Sequence, residues 1–255
     1  MNENTKRAIF LDFDGVLFDT VKEAYCVAMM ALGKTSGIIN TDMNSSHFRE
    51  FYRLRFLVGP AWNYYYLLPL VDKRIDSPSL DIASDFRGLV RNSDPRVHNA
   101  FEEKFFNTRS ALIETDTDNW FSLITPYAFL NDLQTLMKDH AEKFFLISTR
   151  DRSSVLRILR AHHIGFLEGS IFGKEEYELS NSKKDIVQRL IDCHQIKESL
   201  FIDDLEEHIM ACGTIENLYS VQARWGYVAP EKKEDNSARV IQYVENFIQG
   251  KNVWH

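Results

Sequence analysis

Short apolar runs, each closed by a polar turn and followed by a helical pattern, recur along two blocks of the chain. The first run is Ala8 to Phe13, AIFLDF, stopped at once by Asp14-Gly15. A second, Phe144 to Ser148, follows a helix whose Leu130, Leu133, Leu136 and Met137 share one face. Behind it, Val155, Leu156, Ile158 and Leu159 stand at helical spacing, and a third run, Ser170 to Phe172, ends at Gly173. Ile186, Val187, Leu190 and Ile191 mark a further helix, which leads to Ser199–Ile202 and the acidic pair Asp203–Asp204. Leu218 to Val221 reads as a fifth strand. Val240, Ile241, Val244, Phe247 and Ile248 form a closing amphipathic helix that Gly250 stops. Strands alternating with helices in this way predict an α/β fold built on a parallel sheet.

The stretch from residue 20 to 124 breaks this rhythm. It holds Val21–Tyr25–Ala28–Met29–Leu32 at helical spacing, an aromatic region from Phe48 to Val71, and helices predicted over Leu80–Val90 and Arg96–Leu112. Roughly a hundred residues thus separate the first two strands, where a crossover needs only about a dozen. An inserted helical domain over 20–124 is the economical reading, with residues 1–19 and 125–255 forming the Rossmann-like core. The linkers are expected at Asp19–Glu23 and at the polar stretch Glu114–Asn119 running to Pro126.

Composition narrows the classes. The chain has 255 residues, 44% of them hydrophobic, and a formal net charge of −7, with no Lys/Arg-rich run to track a nucleic-acid backbone. No 18-residue apolar run or secretory leader is evident, so a cytoplasmic protein without a membrane partner is expected, as monomer or homodimer. Cys26, Cys193 and Cys212 lack metal-site spacing and read as ordinary buried thiols. An acidic chain that handles anions must place positive charge locally, from a metal or from a few Lys and Arg side chains.

Chemistry concentrates at the strand ends. In a parallel sheet the carboxyl ends of the strands face the ligand. Side-chain alternation directs Asp12 and Asp14 to one side and Phe13 to the other, while Gly15 lets the chain leave sharply. Two carboxylates in a partly desolvated cleft repel, which a divalent cation or a raised pKa relieves. Such a pair suits phosphoryl transfer, one group attacking phosphorus and the other moving protons. A helix-entry turn is the plainer alternative, since Asp-Gly is common in turns.

The eleven residues FLDFDGVLFDT, carrying Asp12-Phe13-Asp14-Gly15-Val16 and Asp19-Thr20, resemble the first motif of the haloacid dehalogenase-like hydrolase superfamily. The helical insert resembles the C1 cap of its phosphoglycolate phosphatase and β-phosphoglucomutase group. The resemblance implies a phosphatase in which Asp12 is the nucleophile and Asp14 the general acid and base. It implies a phosphate-binding hydroxyl from Ser148, or from Thr149, in the frame Ser148-Thr149-Arg150. It also implies a site lysine: Lys183 by its spacing to Ile186–Val187, with Lys184 and Lys174 as alternatives. Magnesium would be held by the Asp12 carboxylate, the Asp14 main-chain carbonyl and the Asp204 carboxylate, with Asp203 in support. His208 stands where the family often has a further acid, and Glu207 is the alternative. The first strand is implied to be central, flanked by the second and fourth.

In the helical insert, Arg53 and Arg55 before Val58-Gly59-Pro60 resemble the place where related enzymes aim a cation at the substrate. As solvated rim around Phe51, Phe56, Trp62 and Tyr64–Tyr66 they need no such role. A small phosphorylated metabolite is the implied substrate. Asp14 argues against dehalogenase chemistry, and Lys22 and Lys34 lack the context of a Schiff-base lysine. A phosphosugar mutase of the same fold and a catalytically idle small-molecule-binding protein are the alternatives.

Overall fold

A computed structural model of the chain describes residues 6–77, 81–180 and 182–252. The chain divides into two compact units, one running to Asp19 and resuming at Pro126, the other spanning Thr20–Thr125.

The first unit is built on five parallel strands: β1 Arg7–Leu11, β2 Phe144–Ile147, β3 Ile171–Phe172, β4 Glu198–Asp203 and β5 Leu218–Gln222, in the order β3-β2-β1-β4-β5. The first strand is central, between the second and the fourth, as expected. Its register aligns Ile9 with Phe144 on one side and Leu11 with Ile202 on the other. Such a strand must be apolar on both faces, and Ala8 through Leu11 are fully buried. Alternation sends Ala8 and Phe10 to one face, where they meet Phe145, Ile147, Phe201, Ile186, Val187 and Leu190. Each of the larger of these side chains removed from water stabilises the fold by about 1.5–3 kcal/mol. Ile186, Val187 and Leu190 belong to a helix, Lys183–His194, that starts at Ser182, whose side chain accepts from the Asp185 amide. That cap fixes where the helix begins, and so which residue stands first on it.

The second unit contains α1 Val21–Ala31, α2 Ser46–Leu54, α3 Asn63–Asp76, α4 Ile82–Arg91, α5 Pro95–Thr115 and α6 Thr117–Ser122. Leu80, the expected first residue of the helix over Leu80–Val90, lies outside the described residues. The stretch Glu114–Asn119, expected as a polar linker, is helical instead, divided between α5 and α6. The cause is Trp120, which is fully buried and donates from Nε1 to Glu23 Oε1 at 3.2 Å. Glu23, itself fully buried, accepts from Arg109 at 2.7 and 3.1 Å, which joins α1, α5 and α6 through one carboxylate. Polar composition signalled solvent here because the partner of Trp120 is 97 residues away in sequence. The thiols also divide differently from the expectation: Cys26 and Cys212 are buried, whereas Cys193 is exposed. No helix of the described residues is long and apolar enough to cross a membrane.

Removing one partner of a buried ion pair leaves an uncompensated charge, at a cost of about 3–5 kcal/mol. Arg109→Ala is therefore expected to lower unfolding stability by about that amount in urea titrations. The double variant Glu23→Gln/Arg109→Met, which keeps an acceptor for Trp120, should recover more than half of the loss. Equal destabilisation of single and double variants would show that the pair's charges do not set this cost.

Candidate active site

The centre of the site is an ammonium held between two buried carboxylates. Lys183, first residue of its helix, is 2% exposed. Its Nζ lies 2.7 Å from Asp12 Oδ1 and 2.7 Å from Asp203 Oδ2. Asp12 follows the end of β1, its amide donating to Ile202 O at 3.0 Å, and its Oδ1 also accepts from the Phe13 amide at 2.7 Å. Asp203, the last residue of β4, accepts from the Leu205 amide at 2.8 Å, and His208 Nδ1 stands 3.1 Å from its Oδ2. Burial pushes the Asp12 carboxyl up to about 6, with Asp203 adding repulsion and Lys183 opposing both. Burial alone would lower the Lys183 ammonium, yet Asp12 and Asp203 hold it above the ordinary lysine range. Asp203 is buried too, and Lys183 and His208 hold its carboxyl below the usual carboxylate range.

The second aspartate has a different partner. Asp14 accepts from Arg150 in a fork: Nη2 to Oδ1 at 2.9 Å and Nε to both oxygens at 3.1 Å. Arg150 is 3% exposed, with its guanidinium 5.8 Å from the Phe13 ring centroid. It is placed by the turn after β2, where the Arg150 amide donates to Ser148 Oγ at 3.1 Å and the Arg150 carbonyl accepts from the Lys174 amide at 2.9 Å. Ser148 is buried; Thr149 is half-buried.

Asp204 stands against the loop that carries the aspartates. Its Oδ2 accepts from the Tyr227 amide at 2.5 Å, and its carbonyl accepts from the Gln222 side chain at 2.9 Å. Gly15 adopts φ +85°, and a Cβ there would come 1.9 Å from Asp204 Oδ2. A Cβ on Gly226 would come 2.2 Å from the Gly15 carbonyl and 2.6 Å from Asp204 Cβ. Both glycines are therefore demanded by close approach and, at Gly15, by backbone angle. Tyr227 Oη completes the junction by donating to Asp19 at 2.9 Å, and Trp225 Nε1 donates to Val16 O at 3.1 Å.

Among the described residues, one group of metal-ligating side chains, Asp12, Asp203 and His208, is clustered tightly enough to hold an ion. Lys183 Nζ already sits between its two carboxylates. An ammonium there does the work a metal would do, so that trio is not the place for one. The remaining set is the Asp12 and Asp204 carboxylates with the main chain of Asp14, all oxygen donors of the kind a hard divalent cation takes. Asp204 lies close against the loop that carries Asp12 and Asp14, since a Cβ on Gly15 would come within 1.9 Å of its Oδ2, so the donor types present suit such an ion.

The other sequence candidates fall as follows. Lys174 pairs with Glu178, and Lys184 is half-buried. Glu207 is exposed, so His208 rather than Glu207 supports Asp203. Arg53 pairs with Glu50 at 2.9 and 3.1 Å, and Arg55 donates to Val58 O at 2.7 Å and packs 5.5 Å from the Tyr64 ring centroid. Lys34 pairs with Asp72, and Lys22 is exposed. Arg150 is the residue that sequence reasoning passed over as a functional group. Its presence two positions after Ser148 was the available signal.

No family model matches the chain, and no curated relative matches it. Solved structures do. A predicted phosphatase from Clostridium acetobutylicum aligns at TM-score 0.58 and 16% identity over 92% of this chain and 91% of its own. A provisionally assigned phosphoglycolate phosphatase from Lactobacillus delbrueckii subsp. bulgaricus aligns at TM-score 0.61 and 12% identity, over 94% and 98%. A haloacid dehalogenase-like hydrolase from Streptococcus pneumoniae aligns at 0.52 and 16%, over 89% of each chain. The architecture is thus the haloacid dehalogenase-like fold, a parallel α/β core with an inserted helical unit.

The raised Asp12 carboxyl makes a signed prediction for the metal-free protein. Its folded value of about 6 exceeds the ordinary 3.8 that holds in the unfolded chain, so the folded state holds the proton more tightly and stability falls as pH rises between these values. Asp12→Asn removes that penalty. In EDTA it should match wild type near pH 4 and exceed it by about 1–3 kcal/mol at pH 7, read from urea midpoints. A constant difference across this range would refute the assignment.

Proposed function

We propose that the chain is a magnesium-dependent phosphatase that hydrolyses a small phosphorylated metabolite through an aspartyl-phosphate on Asp12. The observation that carries this reading is the Lys183 ammonium 2.7 Å from Asp12 Oδ1, anchored from behind by Asp203. A nucleophilic carboxylate and an incoming phosphate dianion repel, and a fixed cation beside the point of attack offsets that repulsion before reaction begins.

In the first step an Asp12 oxygen forms a bond to phosphorus and the bond from phosphorus to the leaving-group oxygen breaks. The leaving oxygen takes a proton from Asp14. In the second step water gives a proton to Asp14 and attacks phosphorus; the Asp12–phosphorus bond breaks, releasing phosphate and restoring both carboxyl groups. Ser148 and Lys183 bind phosphoryl oxygens. A divalent cation, held by Asp12, the Asp14 carbonyl and Asp204, supplies charge neutralisation to those oxygens when bound. Arg150 is the positioning residue for Asp14: its fork sets the carboxylate's direction, and one of those bonds must open before Asp14 can carry a proton. The helical unit leaves the core at Asp19, five residues after Asp14, and we assign substrate selection to it.

The test uses two leaving groups. With Mg²⁺, p-nitrophenyl phosphate should be turned over, and Asp12→Asn or EDTA should abolish turnover; hydrolysis that survives both sinks the proposal. General acid catalysis contributes about 10²–10⁴-fold where the leaving group needs a proton. Asp14→Asn should therefore lower kcat/KM, which reports the leaving-group step alone, by about that factor on an alkyl phosphate and by far less on p-nitrophenyl phosphate. Equal losses of kcat/KM on both would remove Asp14 from the role of general acid.

A further inference from the structure

Helix α2 divides its surface sharply. Phe48, Phe51 and Leu54 are buried, while Ser46, Arg49, Glu50 and Arg53, spaced by three and four residues, share another face. That face lines an open cleft of about 540 Å³ completed by Arg74 and Ile75 from the last turn of α3. The lining thus carries three guanidiniums and one carboxylate. Glu50 is shared: Arg53 grips it through Nε and Nη2, and Arg74 Nε lies 3.5 Å from its Oε1. Arg49 donates to a neutral acceptor, the Asn44 carbonyl, at 2.6 Å. Ser46 opens α2, so the helix's partial positive charge adds to that of the arginines.

Three guanidiniums lining one cleft beside the Glu50 carboxylate give it a local positive charge that suits an anion. Guanidinium forks match phosphate oxygens with paired, directional bonds. The volume lies within the range of small-ligand clefts and exceeds the needs of an isolated ion. Ile75, 40% exposed, offers an apolar edge for the body of such a ligand.

We propose that this cleft of the helical unit is a binding site for a small polyanion bearing phosphate groups. Glu50 serves as its internal stand-in: it keeps Arg53 and Arg74 extended into the cleft and yields them to the ligand's oxygens.

Isothermal titration of the full chain with inorganic pyrophosphate, in EDTA and low salt, tests this. Wild type should bind at this site, and Arg49→Ser/Arg74→Ser should lose that binding component, weakening it by about tenfold or more. Glu50→Gln, which removes the competing carboxylate, should instead tighten it several-fold, a gain that misfolding cannot imitate. Unchanged melting temperatures establish that the variants are folded. Titrations indistinguishable among wild type, the double variant and Glu50→Gln would overturn the proposal, as would the absence of binding to both wild type and Glu50→Gln. Because the assay needs no turnover, its result is separate from that of the phosphatase reading.

Discussion

Two carboxylates and one ammonium, all withdrawn from water, set the terms for the rest of the core. Asp12 and Asp203 end neighbouring strands and face the same lysine. Neither carboxylate could remain charged at that depth without it, and Lys183 could not be buried without them. The group carries one net negative charge, and this residue of charge appears at Asp12, which is pushed up to about 6 while Asp203 is held low. The asymmetry has a geometric origin. Asp203 has Lys183, His208 and the Leu205 amide around it, whereas Asp12 has Lys183 and the Phe13 amide. The better-supported carboxylate becomes the anchor. The other is left with the higher proton affinity, which in a carboxylate is also the higher affinity for an electrophile or a cation.

What the sequence made legible follows from what is local. Strand ends, the helix after Ser182 and the acidic pair at residues 203 and 204 are written in runs of apolar residues and their stops. A parallel sheet then brings such stops to one edge without further information. Lys183 was singled out from its neighbours by the family resemblance, through its spacing to Ile186–Val187, and not by periodicity. Partner choice was not readable. Asp14 and Arg150 are 136 residues apart, and nothing in either neighbourhood says that one grips the other. Trp120 and Glu23 repeat the point, since a polar stretch predicts a linker until its single large aromatic finds a buried acceptor. Shape demands also escape periodicity. Gly226 is one glycine among eleven until Asp204 and the Gly15 carbonyl fill the space a side chain would need.

The charge of the whole chain gives these local arrangements a common logic. At a net −7 the protein repels anions at a distance, and in physiological salt that field fades beyond about 8 Å. Recognition of an anion must then be short-ranged and directional. In the cleft proposed on the helical unit this falls to arginines kept in place by a carboxylate, Arg53 and Arg74 by Glu50. An unrestrained arginine would lose side-chain entropy on binding a ligand. One already held by a carboxylate has lost it, and it exchanges one oxygen pair for another. The carboxylate also limits affinity, because the incoming oxygens displace bonds that already exist. In the proposed cleft that limit keeps the exchange of one oxygen pair for another readily reversible, which bare cations would not do.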